Sequence, residues 1–249
     1  MRQQLVNLNV DNLSESQALD ACKQALQTTP CKSLFFINAH SFNIAQQHEE
    51  YHAAVNSSDL VFNDGIGIKL FAQLNDIHFH DNLNGTDLIP KIIELGVRES
   101  LSFYIVGSSP AFVRDASKKL AEQYTNIRIN GAHHGFFSEQ EEMAIIRDIN
   151  EKNTDILIVG MGVPRQELWI GKVRDHLQTV RLCIAGGAII DFISGHIQRA
   201  PRIIRRINME WVYRLSLEPR RLWKRYLVGA VRLGYHLARS QAKKFISRT

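Results

Sequence analysis

The chain has 249 residues, 45% hydrophobic and 22% charged, an ordinary composition for one large globular domain or a domain with an appendage. No long uncharged apolar run occurs, which argues against a transmembrane helix, and the first residues lack the apolar core of a signal peptide. We therefore expect a cytoplasmic protein.

Positive charge is concentrated towards the C-terminus. The chain carries 30 Lys and Arg against 25 Asp and Glu, and residues 196–249 hold 14 of the former but only 2 of the latter. The remaining 1–195 have 16 basic and 23 acidic residues, so an acidic body carries a strongly basic tail. Such a tail is typical of proteins that bind phosphate in nucleic acids, anionic lipids or a diphosphate substrate.

Six apolar segments predict β-strands. Each is a continuous apolar run, as expected where both faces of a strand are buried in a parallel sheet. They cover residues 33–38, 59–63, 101–107, 126–131, 155–162 and 181–187. The intervening segments predict helices over 41–55, 86–97, 110–123 and 138–152, the last of which starts at a capping box of Ser138 and Glu141.

Strand–helix alternation predicts an α/β fold, with a Rossmann-like, mostly parallel sheet and helices on both faces. The change of charge near Gly195 is the one sharp boundary in the sequence. We therefore predict an α/β domain over residues 1–195, which holds the functional site, and a basic, amphipathic helical appendage over 196–249.

The appendage sequence predicts two helices separated at Pro219. The first carries an apolar i, i+4 stripe of Ile203, Ile207, Trp211 and Leu215. The second has a basic face of Arg221, Arg225, Arg232, Arg239 and Lys243 and an opposite face of Trp223, Leu227, Ala230, Gly234, Leu237 and Phe245. Such a helix is suited to packing on the body or to lying on a membrane surface. Self-association of the chain through the apolar stripe is a third alternative.

Neither the cysteines nor the histidines predict a metal site. Cys22, Cys31 and Cys183 are far apart and fit no metal or redox spacing, so we expect buried, reduced thiols. His133 and His134 are typical of a polar turn, and no third ligand is evident.

Polar residues and glycines follow the predicted strands, at the edge where open α/β sheets bind ligands. The stretches are INAHS with Asn38, FNDGIG with Asp64, NGTDL at 84–88 and VGMGVPRQE at 159–167. Each alone has an ordinary explanation, because Asp64 is also typical of a turn, and Asp87 and Glu167 of the first turn of a helix. The glycine pair in 160–162 lacks the third glycine of a dinucleotide fingerprint, where Arg165 stands.

In combination these motifs are specific. DGIG, NGTDL, VGMGVPRQE, GGAIIDFISGHIQRAP and MEWVYRLSLEPRR follow one another in an order that resembles the WecG/TagA/CpsF glycosyltransferase family, from about Phe35 to Tyr226. The resemblance implies transfer of a sugar, typically of the N-acetylmannosamine type, from a UDP-sugar to a polyprenyl-diphosphate-linked sugar. It also implies inversion at the anomeric carbon, no metal and no other cofactor.

The resemblance further implies roles for individual residues. Asp64 matches the proposed general base, and Arg214 and Arg221 match arginines implicated in catalysis, with either Lys224 or Arg225 at the next basic position. With the strand-end residues, the predicted substrate-binding set is Asn38, Gly65, Gly67, Asn82, Thr86, Asp87, Gly107, Gly160, Gly162, Gln166, Glu167, Gly187 and Arg225. The appendage is expected to close over the site and to bind the anionic inner face of the cytoplasmic membrane.

Two positions depart from the family pattern. Asn82 stands where many members have an arginine, and Phe36 where many have a threonine, so the donor sugar stays open. Two alternative functions also stay open. One is a nucleotide-dependent oxidoreductase or epimerase on a Rossmann-like sheet; the other is a nucleic-acid-binding protein that uses the basic tail, although no base-reading motif is present.

Overall fold

The computed structural model describes residues 2–246, without the side chains of Lys243 and Phe245, so those two predicted face residues lie outside the described part. The chain starts with an antiparallel hairpin of β1 (Arg2–Leu5) and β2 (Leu8–Asp11), which was not predicted. It is tied to the body where Asp11 Oδ2 accepts a hydrogen bond from Val61 N at 2.8 Å.

A six-stranded, all-parallel sheet follows and confirms the α/β prediction. Its strands are β3 (Lys32–Ile37), β4 (Leu60–Asn63), β5 (Ser102–Gly107), β6 (Arg128–His133), β7 (Ile156–Gly160) and β8 (Leu182–Ala185). The spatial order is β4-β3-β8-β7-β5-β6. All six predicted strands are present, and each bound lies within two residues of the prediction.

Helices cover both faces of the sheet. They are α1 (Glu15–Ala25), α2 (Ala39–Ala45), α3 (Glu49–Asn56), α4 (Ile66–Gln73), α5 (Gly85–Arg98), α6 (Pro110–Gln123), α7 (Glu139–Glu151), α8 (Arg165–Val173) and α9 (Ile189–Ser194). The buried side chains of α2, α3, α4, α7 and α8 pack on one face, and those of α1, α5, α6 and α9 on the other. Successive strand residues alternate between these two cores, which explains why the strands are apolar throughout.

The predicted helix over 41–55 is wrong in one respect, because two helices occupy it. The first ends near Gln46, and His48 then caps the second, with its Nδ1 accepting a hydrogen bond from Tyr51 N at 3.3 Å. An imidazole that caps a helix is outside the usual Ser, Thr, Asp and Asn signals, so the break carried no recognisable pattern.

The three cysteines are buried and free, as predicted. Cys31, directly before β3, and Cys183 of β8 are far apart in the sequence, but their Sγ atoms lie 3.2 Å apart.

The appendage contains more breaks than predicted. Its elements are α10 (Arg202–Arg206), α11 (Glu210–Leu217), α12 (Pro219–Trp223), a π-helical turn (Lys224–Val228) and α13 (Gly229–Ile246). The break at Pro219 is confirmed. The prediction of a single helix before Pro219 is wrong, because Asn208 has a φ of +58° and separates α10 from α11. The stripe from Ile203 to Leu215 is therefore not one helix face, and Ile203 is 76% exposed.

The last helix docks on the body through a third face. Leu233 and Leu237 pack on the core, Asn43 Nδ2 donates to the Gly229 carbonyl at 2.8 Å, and Ser240 Oγ bonds Asn75 Oδ1 at 2.6 Å. Leu237 was predicted on the apolar face with Leu227, but Leu227 is 59% exposed. The docking face thus lies between the predicted basic and apolar faces.

A glycine substitution tests the close approach of two strands. Gly107 ends β5 with a φ of +143°, and a Cβ there would overlap the backbone carbonyl of Gly160 at the end of β7. We expect Gly107→Ala to lower the free energy of unfolding in urea by about 3 kcal/mol, from backbone strain and overpacking together.

Gly234→Ala is the matched control. A Cβ on Gly234 meets nothing within 4 Å, and the residue lies inside α13, so the same change is expected to stabilise by roughly 0.5–1 kcal/mol. Equal effects of the two substitutions would contradict the strand contact.

Candidate active site

A cleft of about 700 Å³ lies beyond the carboxyl ends of the parallel strands. Residues that follow β3, β4, β5, β7 and β8 form its floor and sides, and the appendage from Arg214 to Arg225 closes the remaining side. This is the edge at which an open α/β sheet leaves a crevice for a ligand.

Ten predicted site residues line this cleft, and they come from segments far apart in the sequence. They are Asn38, Asp64, Thr86, Gly160, Gly162, Gln166, Gly187, Arg214, Arg221 and Arg225. The structure therefore brings the three predicted catalytic residues to one place.

Asp64 lies at the end of β4 in a turn held by one backbone hydrogen bond and one side-chain hydrogen bond. Its own N–H donates to the carbonyl of Ile37 at 2.8 Å, and the N–H of Gly65 donates to Asn82 Oδ1 at 2.7 Å. Gly65 has a φ of +88°, a left-handed conformation that favours glycine. Asn82 thus fixes the turn that presents Asp64, and it does not itself line the cleft.

The carboxyl of Asp64 is a weaker acid than an ordinary aspartate. Burial raises its pKa to about 6, and the negative charge of Glu210 adds to this, whereas a hydrogen bond from Asn38 and the charges of Arg225 and Arg214 lower it. Asp64 is thus ionised at neutral pH and still basic enough to accept a proton there.

Asn38 is oriented by the start of α2. Its Oδ1 accepts hydrogen bonds from the backbone N–H groups of His40 at 3.0 Å and Ser41 at 3.1 Å. The amide nitrogen of Asn38 is thus free to donate the hydrogen bond to Asp64. His40 also lines the cleft, and burial lowers its pKa to about 4, so its imidazole is neutral at pH 7.

Gln166 joins two glycine turns. Its Oε1 accepts from the N–H groups of Gly162 at 3.2 Å and Gly187 at 3.0 Å, which follow β7 and β8. Its Nε2 donates to Glu167 Oε1 at 2.8 Å. Glu167 is fully buried, and burial raises its pKa to about 7. Glu167 was predicted to bind substrate, but it lies behind Gln166 and orients that amide.

The appendage contributes three arginines. Arg225 is largely buried, which lowers its pKa, and its Nε and that of Arg214 have no hydrogen-bond partner in the described part of the chain. Arg214 lies over the ring of Phe192 at 5.4 Å, and Arg221 Nη2 donates to Glu218 Oε1 at 2.8 Å. Buried guanidinium donors without partners are suited to a bound anion.

Of the two candidates Lys224 and Arg225, which both lie in the π-helical turn, Arg225 is the one that lines the cleft. Arg225 lines the cleft, whereas Lys224 is exposed and lies 5.6 Å from the ring of Trp223. Single π turns inside a helix occur frequently at functional sites.

Six predicted residues do not line the cleft, and each has another place. Gly65 and Gly67 belong to the turn after β4 and the helix that follows it, and Asn82, in the loop before α5, accepts a hydrogen bond from Gly65 N. Gly107 contacts Gly160, Glu167 is buried, and Asp87 pairs with appendage arginines. These residues shape the site without facing the cleft.

Other cleft residues were missed by sequence reasoning. Ser108 donates to Asp191 Oδ1 at 2.5 Å, and both face the cleft with Arg165. Asp191 lies in the first turn of a helix after a glycine turn, the pattern that singled out Asp87, so it could have been found. Phe112 and Phe136 follow no comparable signal, because aromatic residues are equally typical of a core.

No group of three or more His, Cys, Asp or Glu side chains within residues 2–246 is arranged to hold a metal ion. None of the helices in that range is long and apolar enough to cross a membrane.

Comparison with known proteins places the chain in a family. The model of the glycosyl transferase WecG/TagA/CpsF family matches residues 3–246. The chain that forms this cleft, at the carboxyl edge of a parallel sheet, thus has the sequence of a glycosyltransferase. The chain belongs to the WecG/TagA/CpsF family, which confirms the resemblance; the match does not support the dinucleotide and nucleic-acid alternatives.

Curated relatives carry one activity in their names. The chain is 30% identical over 183 residues to an N-acetylglucosaminyldiphosphoundecaprenol N-acetyl-beta-D-mannosaminyltransferase of Bacillus subtilis (strain 168), covering 74% of this chain and 70% of that protein. A protein of the same name from Staphylococcus aureus (strain NCTC 8325 / PS 47) is 26% identical over 224 residues, covering 89% of this chain and 85% of that protein.

The raised pKa of Asp64 predicts a pH-dependent stability. The Asp64 carboxyl holds its proton more tightly in the folded protein than in the unfolded chain. Its ionisation therefore destabilises the fold increasingly as the pH rises from about 4 to 6, and the full destabilisation is present above about pH 6. We expect Asp64→Asn to raise the free energy of unfolding at pH 8 by about 2 kcal/mol. Each unit of pKa change corresponds to about 1.4 kcal/mol, and screening by solvent reduces the sum.

Urea unfolding at pH 8 and pH 5 measures the effect. The difference between Asp64→Asn and wild type should shrink towards the lower pH. A variant that is less stable at pH 8, or a difference independent of pH, would rule out the raised pKa.

Proposed function

We propose that this protein transfers an N-acetylmannosamine-type or related hexose from a UDP-sugar to a sugar on a polyprenyl diphosphate, in the synthesis of a cell-envelope or exopolysaccharide repeat unit. The observation that carries the proposal is the position of Asp64 opposite Arg214, Arg221 and Arg225 in one cleft. The relatives' names support the acceptor class and the sugar.

In the proposed reaction Asp64 is the base. It takes the proton of the acceptor hydroxyl while that oxygen forms a bond to the anomeric carbon of the donor. The bond from this carbon to the diphosphate breaks on the opposite side, which inverts the configuration. A pKa of about 6 leaves Asp64 largely ionised at neutral pH and able to accept this proton.

The leaving diphosphate gains negative charge in the transition state. Arg214 and Arg225 have buried donor atoms without partners, and Arg221 is oriented by Glu218. These guanidinium groups stabilise the departing anion without reorganising solvent, and supply the positive charge that a divalent ion supplies in other enzymes. We therefore propose metal-independent transfer.

The glycine turns and aromatic rings fit the donor nucleotide. Gly160, Gly162 and Gly187 allow a phosphate chain to approach the backbone closely, and Gln166 holds their turns together. Phe112 and Phe136 offer apolar ring surface at the same cleft.

The appendage, residues 196–249, is proposed to act as a lid and as a membrane contact. Eleven of the sixteen exposed large apolar side chains in the described part of the chain lie here: Ile203, Ile207, Met209, Trp211, Leu217, Trp223, Leu227, Val228, Val231, Tyr235 and Ile246. Exposed apolar residues beside many arginines are suited to an anionic lipid surface. We place the protein peripherally on the inner face of the cytoplasmic membrane.

A transfer assay tests the reaction. Purified protein is incubated with a panel of UDP-sugars and a polyprenyl-diphosphate-linked N-acetylglucosamine, and the lipid product is identified by mass spectrometry. We expect transfer from a UDP-N-acetylhexosamine, with kcat/KM falling tenfold per pH unit below about pH 6 as Asp64 is protonated. Absence of product from every donor, or turnover by Asp64→Asn near the wild-type rate, would refute the proposal.

Two neighbouring residues form a matched pair in this assay. Arg225→Gln removes a cleft guanidinium and should lower kcat by about 10²–10³, the effect typical of one lost transition-state donor. Lys224→Gln removes the adjacent exposed charge and should stay within about twofold of wild type. Equal losses would mean that net charge, and not the facing guanidinium, matters.

Flotation with phosphatidylglycerol vesicles tests the membrane contact. Leu227 and Val231 are 59% and 75% exposed on the appendage, and Met143 is 50% exposed on α7. We expect Leu227→Glu with Val231→Glu to reduce vesicle binding at least about tenfold, because each such side chain contributes roughly 1.5–3 kcal/mol when buried. Met143→Glu should bind like wild type, and an equal loss there would contradict this surface.

A further inference from the structure

The appendage is joined to the body by an ion-pair network near the cleft. Arg199 Nη1 lies 2.8 Å from Asp87 Oδ1 and donates to the Thr86 carbonyl at 3.2 Å, and its Nε lies 3.5 Å from Glu210 Oε1. Arg205 Nη1 reaches the same oxygen of Asp87 at 3.3 Å. We call Asp87, Arg199, Arg205 and Glu210 the Asp87 latch.

Both ends of the latch lie next to residues that line the cleft. Asp87 is in the first turn of α5, directly after Gly85 and Thr86, which line the cleft. Glu210 begins α11, one helical turn before Arg214, and its charge acts on Asp64. The latch therefore connects the floor of the cleft to the helix that carries the first appendage arginine.

Apolar burial does not hold this part of the appendage. Between residues 196 and 217, Ala200 is the one buried side chain, and Ile203 and Ile207 face solvent. Arg205 Nε also donates to the Ala200 carbonyl at 3.1 Å, so the same arginine braces the chain as it enters α10. Charge pairing and backbone hydrogen bonds thus position α10 and α11, together with the ring contacts of Trp211 and Arg214.

Asp87 itself is not placed to bind substrate. It does not line the cleft, and its Oδ1 already receives two guanidinium groups. Its position in the first helical turn favours a carboxylate through the helix dipole, but this does not account for the two arginines.

We propose that Asp87 and Arg199 are positioning residues, which hold the appendage so that Arg214, Arg221 and Arg225 face Asp64. This inference rests on the proposed transfer reaction for its kinetic consequence, though not for its structural one. The latch also gives one role to residues from three separate motifs, NGTDL, QRAP and MEW.

A double-mutant cycle tests the latch in the full-length protein. Asp87→Asn and Arg199→Gln should each lower kcat about tenfold with the donor KM within about twofold, and the double variant should lose no more than either single one, since the residues act as a unit. Arg199→Lys keeps the charge and should recover most of the rate. Glu99→Gln, which breaks the exposed Lys23–Glu99 pair at the other end of α5, is the control expected to match wild type.

Hydrogen exchange provides a readout that needs no substrate. In Asp87→Asn and Arg199→Gln, amides of residues 210–217 should exchange about tenfold faster, while those of β3 and β7 stay protected. Arg199→Gln leaves the first turn of α5 intact, so its effect separates the latch from the helix dipole.

Several outcomes would overturn the inference. They are wild-type kcat and exchange in Arg199→Gln, a roughly hundredfold loss in the double variant, or a change in donor KM for Asp87→Asn with unaltered exchange, which would make Asp87 a substrate ligand. If the wild-type protein forms no product, the proposed function fails, and the exchange result still decides the latch.

Discussion

Positive charge in excess over negative charge within one cleft is the constraint on which the rest of the structure depends. Four arginines, Arg165, Arg214, Arg221 and Arg225, line it together with two aspartates, Asp64 and Asp191. The excess arises because a basic appendage closes an opening in an acidic body. A cleft of this kind favours a multiply charged anion, and it also keeps Asp64 from becoming a fully neutral acid in a partly buried place.

The body meets this constraint by building its floor from strand ends and fixing them with buried amides and carboxyls. Gln166 ties the turns after β7 and β8, and Glu167 orients Gln166 from behind. Asn38 is oriented by the start of α2 and hydrogen-bonds to Asp64. Residues that look like substrate ligands in the sequence thus divide into those that face the cleft and those that hold them.

Sequence reasoning was most successful where one physical cause dominates. Strands buried on both faces are apolar throughout, so all six were predicted, and the parallel order placed Asp64 and Gly160 at a common edge. The break at Asn208 was not predictable, because a left-handed asparagine carries no strong pattern in a basic, apolar stretch. The contacts of Asp87 and Glu167 were also not predictable. A carboxylate in the first turn of a helix has the same sequence signature whether it binds a ligand, a distant arginine or a neighbouring amide.

Closure of the appendage over the cleft brings several positive charges close together, and this is electrostatically unfavourable. Its arginines repel one another, since Arg214 and Arg221 both lower the pKa of Arg225, and this repulsion opposes closure. Contacts through Leu222, Leu233 and Leu237 hold its later helices, whereas the segment before Leu217 has almost no apolar burial. A diphosphate between the arginines would relieve the repulsion, so under the proposed function donor binding and closure favour each other. Under the proposed function, the exposed apolar side chains of the appendage are available to a lipid-linked acceptor.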